Sequence, residues 1–178
     1  MKFLTREDAD LLEEKLRREL AEHPEPKFVL YYESGSRDYS RAADAIARSA
    51  GRYSEATLLF LFSVSGDGWS EHEMNDERWV RYRRSRAAHG DSSRLHDTPG
   101  HRFDANEGKP LSEMIAFALE LGWDALVTAK PGRQLLFLSH DERLEIHRGF
   151  SGGALVKELI TLGTWRRADH LRECGNAR

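Results

Sequence analysis

Residues Thr57 to Phe62 read Thr-Leu-Leu-Phe-Leu-Phe, and this short apolar run without alternation constrains the fold more than any other stretch. Six residues are too few for an independent helix, and a strand whose two sides are both apolar has to be covered on both faces. The chain therefore needs helices on either side of a sheet, and the rest of the sequence supplies them. Thr5 followed by Asp8 has the form of a capping box with Asp in place of Glu. Leu12, Leu16 and Leu20 then repeat at helical spacing, predicting a helix over 6–22. Pro24 and Pro26 stop it, and Phe28-Val29-Leu30-Tyr31-Tyr32 predicts the first strand. Tyr39, Ala42, Ala43, Ile46 and Ala47 trace a second helix face ending near Gly51. Strand, helix and strand in this order predict a right-handed parallel crossover joining 28–32 to 57–62.

The second half has its own punctuation. Asn75 is placed to cap a helix that Gly90 ends, and Pro110 suits the first turn of another whose apolar stripe is Leu111, Met114, Ile115, Ala118 and Leu121. Ala125–Ala129, Leu135–Leu138 and Leu144–His147 predict three strands, joined at Pro131-Gly132 and at Asp141-Glu142. Leu155, Val156, Leu159 and Ile160 mark a last helix. The expected class is α/β, with α+β as its alternative. The expected architecture is a mixed sheet of about five strands, the first two parallel and the last three a meander, flanked by about five helices. All 178 residues fit one domain, with 89–109 expected as a long polar, mobile loop.

Charge divides the chain. Residues 1–77 hold 17 acids and 10 bases, 78–109 hold 4 and 8, and 110–178 hold 9 of each, giving the net charge of −3. An acidic front and a basic middle suit partners approached through charge. Met1-Lys2-Phe3-Leu4 runs straight into Thr5-Arg6-Glu7-Asp8, with no leader-like apolar segment, and no run is long enough for a membrane span. A single cysteine, Cys174, cannot close an internal disulfide, so the expectation is a cytoplasmic protein without a membrane partner.

Chemistry-bearing residues fall in three places. Beyond the carboxyl ends of two adjacent parallel strands, Glu33 and Asp67 would meet, with His101 as a third candidate for catalysis, and Gly35, Ser36 and Arg37 would form an anion-binding helix start. The competing reading makes Ser36 and Asp38 helix caps and Gly66-Asp67-Gly68 a turn. His89, His96 and His101 with Asp91, Asp97 and Asp104 match no zinc spacing, so neither a metal nor another cofactor is expected.

The third place is the middle helix, where Arg78, Arg81, Arg83, Arg84 and Arg86 fall within nine residues among Trp79, Val80 and Tyr82. Guanidinium groups bind carboxylates and phosphates in pairs of hydrogen bonds, and aromatics stack on bases, although a solvated helix paired with Glu73, Asp76 and Glu77 has the same composition. With no catalytic motif in evidence, the leading expectation is a non-catalytic interaction protein whose macromolecular partner, a protein, meets this helix, Trp79 included. In size and layout the chain is similar to some toxin-neutralising immunity proteins, a resemblance no motif carries. The alternatives are a small hydrolase or phosphate-ester enzyme at Glu33 and Asp67, and RNA binding through the arginine helix.

Overall fold

A computed structural model of the chain describes residues 1–32, 39–51, 55–60, 77–93, 97–129, 134–148 and 152–168. Along them run β1 (Lys2–Leu4), α1 (Arg6–Glu22), β2 (Phe28–Tyr32), α2 (Tyr39–Gly51), β3 (Glu55–Phe60), α3 (Glu77–Ala88) and β4 (Gly100–Asp104). There follow α4 (Gly108–Leu121), β5 (Ala125–Ala129), β6 (Gln134–Ser139), β7 (Arg143–Arg148), α5 (Gly152–Thr161) and β8 (Trp165–Arg167). The eight strands form one sheet in the order β1-β4-β3-β5-β6-β7-β2-β8, every neighbouring pair antiparallel.

The mixed α/β class and the three-strand meander, β5-β6-β7, agree with the sequence. The parallel pairing does not. β2 and β3 run in the same sense, but the whole meander lies between them, inserted in the gap the connection through α2 leaves open. An unbroken apolar run reports that both faces are covered, and it carries no information on strand direction. In β3, Leu58 faces the main core while Leu59 faces α1, so an antiparallel strand acquires the same signature.

Helices cover the sheet unequally. One face carries α2 packed on α4, with α3 and α5 beside them, over Leu30, Leu58, Val127, Leu136, Leu138, Leu144 and Ile146. On the other face α1 lays Ala9, Leu12, Leu16 and Leu20 over Leu59, Leu126, Leu135 and Phe137. Its start is fixed as the capping pattern requires: Thr5 Oγ1 accepts from the Asp8 amide at 3.2 Å. The helix α4 closes on Gly122, whose φ of +64° is the left-handed value a glycine cap adopts without strain.

Three strands exceed the expected number. β1 and β8 have three residues each, below the length at which a period of two is visible. β4 lies inside the stretch 89–109 expected as a loop, which instead contains a strand and the start of α4. Within β4, His101 and Phe103 turn inward while Arg102 and Asp104 are exposed. Gly100 opens this strand because β1 passes close: a Cβ there would stand 2.7 Å from Leu4 Cδ1. Both sheet edges are thus short, and Lys2, Arg166 and Arg167 place positive charge along them, which discourages pairing with another chain. No helix among the described residues is long and apolar enough to cross a membrane.

Candidate functional site

The arginine-rich helix α3 has two faces of opposite character. Trp79, Tyr82 and Arg86, at helical spacing, all turn inward. Trp79 lies against Trp123 with ring centroids 4.7 Å apart, and Tyr82 meets Trp123 and Phe117 edge-on at 5.0 and 5.4 Å. The Arg86 guanidinium, 2% exposed, sits over the rings of Phe3 and Tyr82. It donates through Nη1 to the Tyr82 oxygen at 3.1 Å and through Nη2 to Asp91 Oδ2 and Thr98 Oγ1. A buried guanidinium is tolerated because these acceptors replace its water and Asp91 supplies the opposite charge. Burial raises the Asp91 carboxyl, but hydrogen bonds from Ser93, Thr98 and Arg86 outweigh it and hold the pKa down to about 2.

His101, from β4, completes this interior. Its Nε2 lies 3.2 Å from the Tyr82 hydroxyl, and burial, aided by the Arg86 charge, depresses its pKa to about 3. It is a neutral core histidine. Read from the sequence, Trp79 and Arg86 belong to a partner surface and His101 to a substrate; the structure encloses all three, because 79, 82 and 86 share the face that packs on β4 and α4.

Arg78, Arg81, Arg83 and Arg84 are exposed on the outer face of α3. Arg78 Nη1 donates to the Glu120 carbonyl at 3.2 Å, and Arg81 pairs with the Glu120 carboxylate while lying over the Phe117 ring. Between α3, α4 and α2 runs an open groove of about 650 Å³. Arg81, Arg84 and Ser85 form one wall, Asp44 and Ser40 the other, and Lys109, Glu113, Ala116 and Phe117 the floor, with His89 at one end. Ser112 donates to Asp44 and ties floor to wall. His89 Nδ1 lies 2.9 Å from the Ser85 carbonyl, an acceptor, so that nitrogen carries the proton.

The groove therefore gathers Arg81 and Arg84, two of the arginines singled out from the sequence, with residues the sequence did not single out. Lys109, Glu113, Ala116 and Glu120 fall on the flank of α4 away from its apolar stripe, at a spacing that marks a helix face. What the sequence lacked was any sign that α3 would pack beside that flank.

Glu33, Gly35, Ser36, Arg37 and Asp67 lie outside the described residues. The adjacency invoked to bring Glu33 and Asp67 together does not exist: β2 and β3 are four strand spacings apart, about 19 Å across the sheet. Among the described residues no three His, Cys, Asp or Glu side chains are grouped to hold a metal. His140 and Asp124 form a separate polar contact, in which the buried Asp124 carboxylate accepts from the His140 amide at 2.8 Å and from its Nδ1 at 2.9 Å. That hydrogen bond raises the His140 pKa. On β7, Glu145 Oε2 lies 2.9 Å from His147 Nε2, which lowers the Glu145 pKa.

No family model, curated protein or solved structure matches the chain.

Proposed function

We propose that the protein is a non-catalytic binding protein that holds an acidic surface of a partner protein against the outer face of α3. One observation carries this reading: Arg78, Arg81, Arg83 and Arg84 are exposed on a helix whose opposite face is locked into the core by Trp79, Tyr82 and Arg86. A row of guanidinium groups on a rigid helix loses little backbone entropy on binding and matches carboxylates with paired hydrogen bonds. Neutralisation of a toxin is the form this function takes if the bound partner is an enzyme whose activity stops.

RNA is the weaker occupant of the same face. Base stacking needs exposed aromatics, and Trp79 and Tyr82 are buried, leaving phosphate contacts alone. A small hydrolase has lost the strand adjacency on which its site depended.

The test is affinity capture from host lysate with the tagged protein and with its Arg81→Glu/Arg84→Glu variant, each with and without nuclease. A protein retained by the wild type after nuclease and released by the double variant is the expected result. Equal retention by both would remove α3 from the interface. Retention of nuclease-sensitive material alone would replace the protein partner with nucleic acid.

A further inference from the structure

We infer that α1 is a lid: it lifts from the sheet as a unit, ahead of global unfolding, and uncovers the apolar surface made by Leu59, Leu126, Leu135 and Phe137. This face of the sheet lies opposite α3, so the lid is independent of the binding reading above. Three observations carry it.

The first is how little apolar contact holds the helix down. Of its 17 residues only Ala9 and Leu16 are buried, with Leu12 and Leu20 half-buried beside them. The shorter α4, at 14 residues, buries seven, Leu111, Met114, Ile115 and Phe117 among them. Local stability follows the apolar surface an element removes from water, which puts α1 at the low end of the range and α4 at the high end.

The second is separateness. Leu59, Leu126 and Leu135 form with Leu4, Ala9 and Leu16 a small core of their own, and the sheet divides it from the main core, where α2 packs on α4 and α5. Among the described residues α1 is the one helix on its face, so its departure breaks no helix packing and leaves the main core closed.

The third is that the helix carries its own support. Thr5 caps it, and Arg6, Arg17 and Arg18 pair with Asp10, Glu13 and Glu14 one turn away at 2.9, 2.8 and 2.6 Å, contacts that survive detachment. At its far end the connection through residues 23–27 is exposed apart from a half-buried Pro26, and Pro24 and Pro26 keep it from continuing the helix. Such a connector lets α1 move as one body while β2 stays in its ladder.

Amide hydrogen exchange of the full-length protein, followed by NMR at a series of urea concentrations below the unfolding midpoint, reads the opening directly. Without urea, the central amides of α1, Leu12 to Leu20, should exchange about tenfold or more faster than those of α4 and β5. They should share one urea slope, shallower than that of α4 and β5, because opening the lid exposes less surface than unfolding the chain. Ile115→Val, a mild change in the main core, should speed exchange in α4 and β5 by about 2–12-fold and leave α1 unchanged, since Ile115 keeps its contacts when the lid is open. Equal rates and slopes in α1 and α4, or an equal acceleration of α1 by Ile115→Val, would mean that α1 opens only with the whole molecule and overturns the inference. So would α1 amides that exchange at unrelated rates with no response to urea, which is fraying and not a lid.

Discussion

The Tyr82 hydroxyl and Nε2 of His101 stand 3.2 Å apart, with neither residue exposed to solvent. Arg86 donates to the same Tyr82 oxygen, so the three side chains form one buried polar chain. Burial holds the imidazole neutral, and it raises the Tyr82 pKa so that the phenol also stays neutral. A helix that looks from its sequence like an open basic surface is thus riveted to the sheet by three polar residues with no access to water.

That relationship makes stability depend on pH in a defined window. Between the ordinary histidine value of 6.5 and the folded value of about 3, unfolded chains take up a proton at His101 that folded chains refuse. Stability from this residue therefore falls as pH falls through that window, by up to about 1.4 kcal/mol per pH unit. Urea unfolding at pH 7, 6, 5 and 4 should show a steeper loss for the wild type than for His101→Gln. Parallel curves would mean that His101 takes up its proton equally in both states.

Arg86→Met should destabilise by about 3–5 kcal/mol, because it strands the Asp91 carboxylate in a site that is 11% exposed. Adding Asp91→Leu should recover part of that loss, a non-additivity read directly from a double-mutant cycle of denaturant midpoints. In the wild type, Asp91 adds a second acid-sensitive step. Its folded pKa of about 2 lies below the usual 3.8, so its contribution is present above 3.8 and is lost as pH falls towards 2.

His140 should behave in the opposite sense. Its pKa is raised through the hydrogen bond to Asp124, so its contribution is complete below the ordinary value of 6.5 and is lost as pH rises through the folded value. Its ring protons, followed by NMR, should titrate above the ordinary histidine value of 6.5, and Asp124→Asn should remove the difference. An unchanged His140 titration in that variant would show that Asp124 is not the cause.

Gly100→Ala should lower the melting temperature by forcing a methyl group to 2.7 Å from Leu4 Cδ1, a clash worth about 1–3 kcal/mol. Leu4→Ala is destabilising alone, yet in the Gly100→Ala background it should cost less, since it removes the atom that is struck. Additive thermal shifts for the pair would show that the strands separate instead of colliding.

Residue types with a period of their own were legible. Thr5 with Asp8, the Leu12-Leu16-Leu20 repeat and the stripe from Leu111 to Leu121 placed α1 and α4 closely, and the alternation in β7 picked out Leu144 and Ile146 as core-facing, although the face of Glu145 and His147, expected to be wet, has His147 buried too. What stayed hidden depended on partners distant in sequence. Nothing local says that β2 pairs with β7 and β8, that His101 belongs to a strand, or that the charge of Arg86 is matched by Asp91 and enclosed. The groove was half legible for the same reason: Arg81 and Arg84 stand out by composition, whereas Lys109, Ser112 and Glu113 matter only because α4 lies next to α3.

The sheet order also governs how the chain can be made. On the ribosome, Phe28–Tyr32 emerges early, but its neighbours on the two sides are Arg143–Arg148 and Trp165–Arg167. At roughly 5–20 residues per second, synthesis leaves that apolar segment without its ladder for on the order of ten seconds. A nascent chain of this topology passes through an interval in which its first long strand exists without either of the strands that flank it in the sheet.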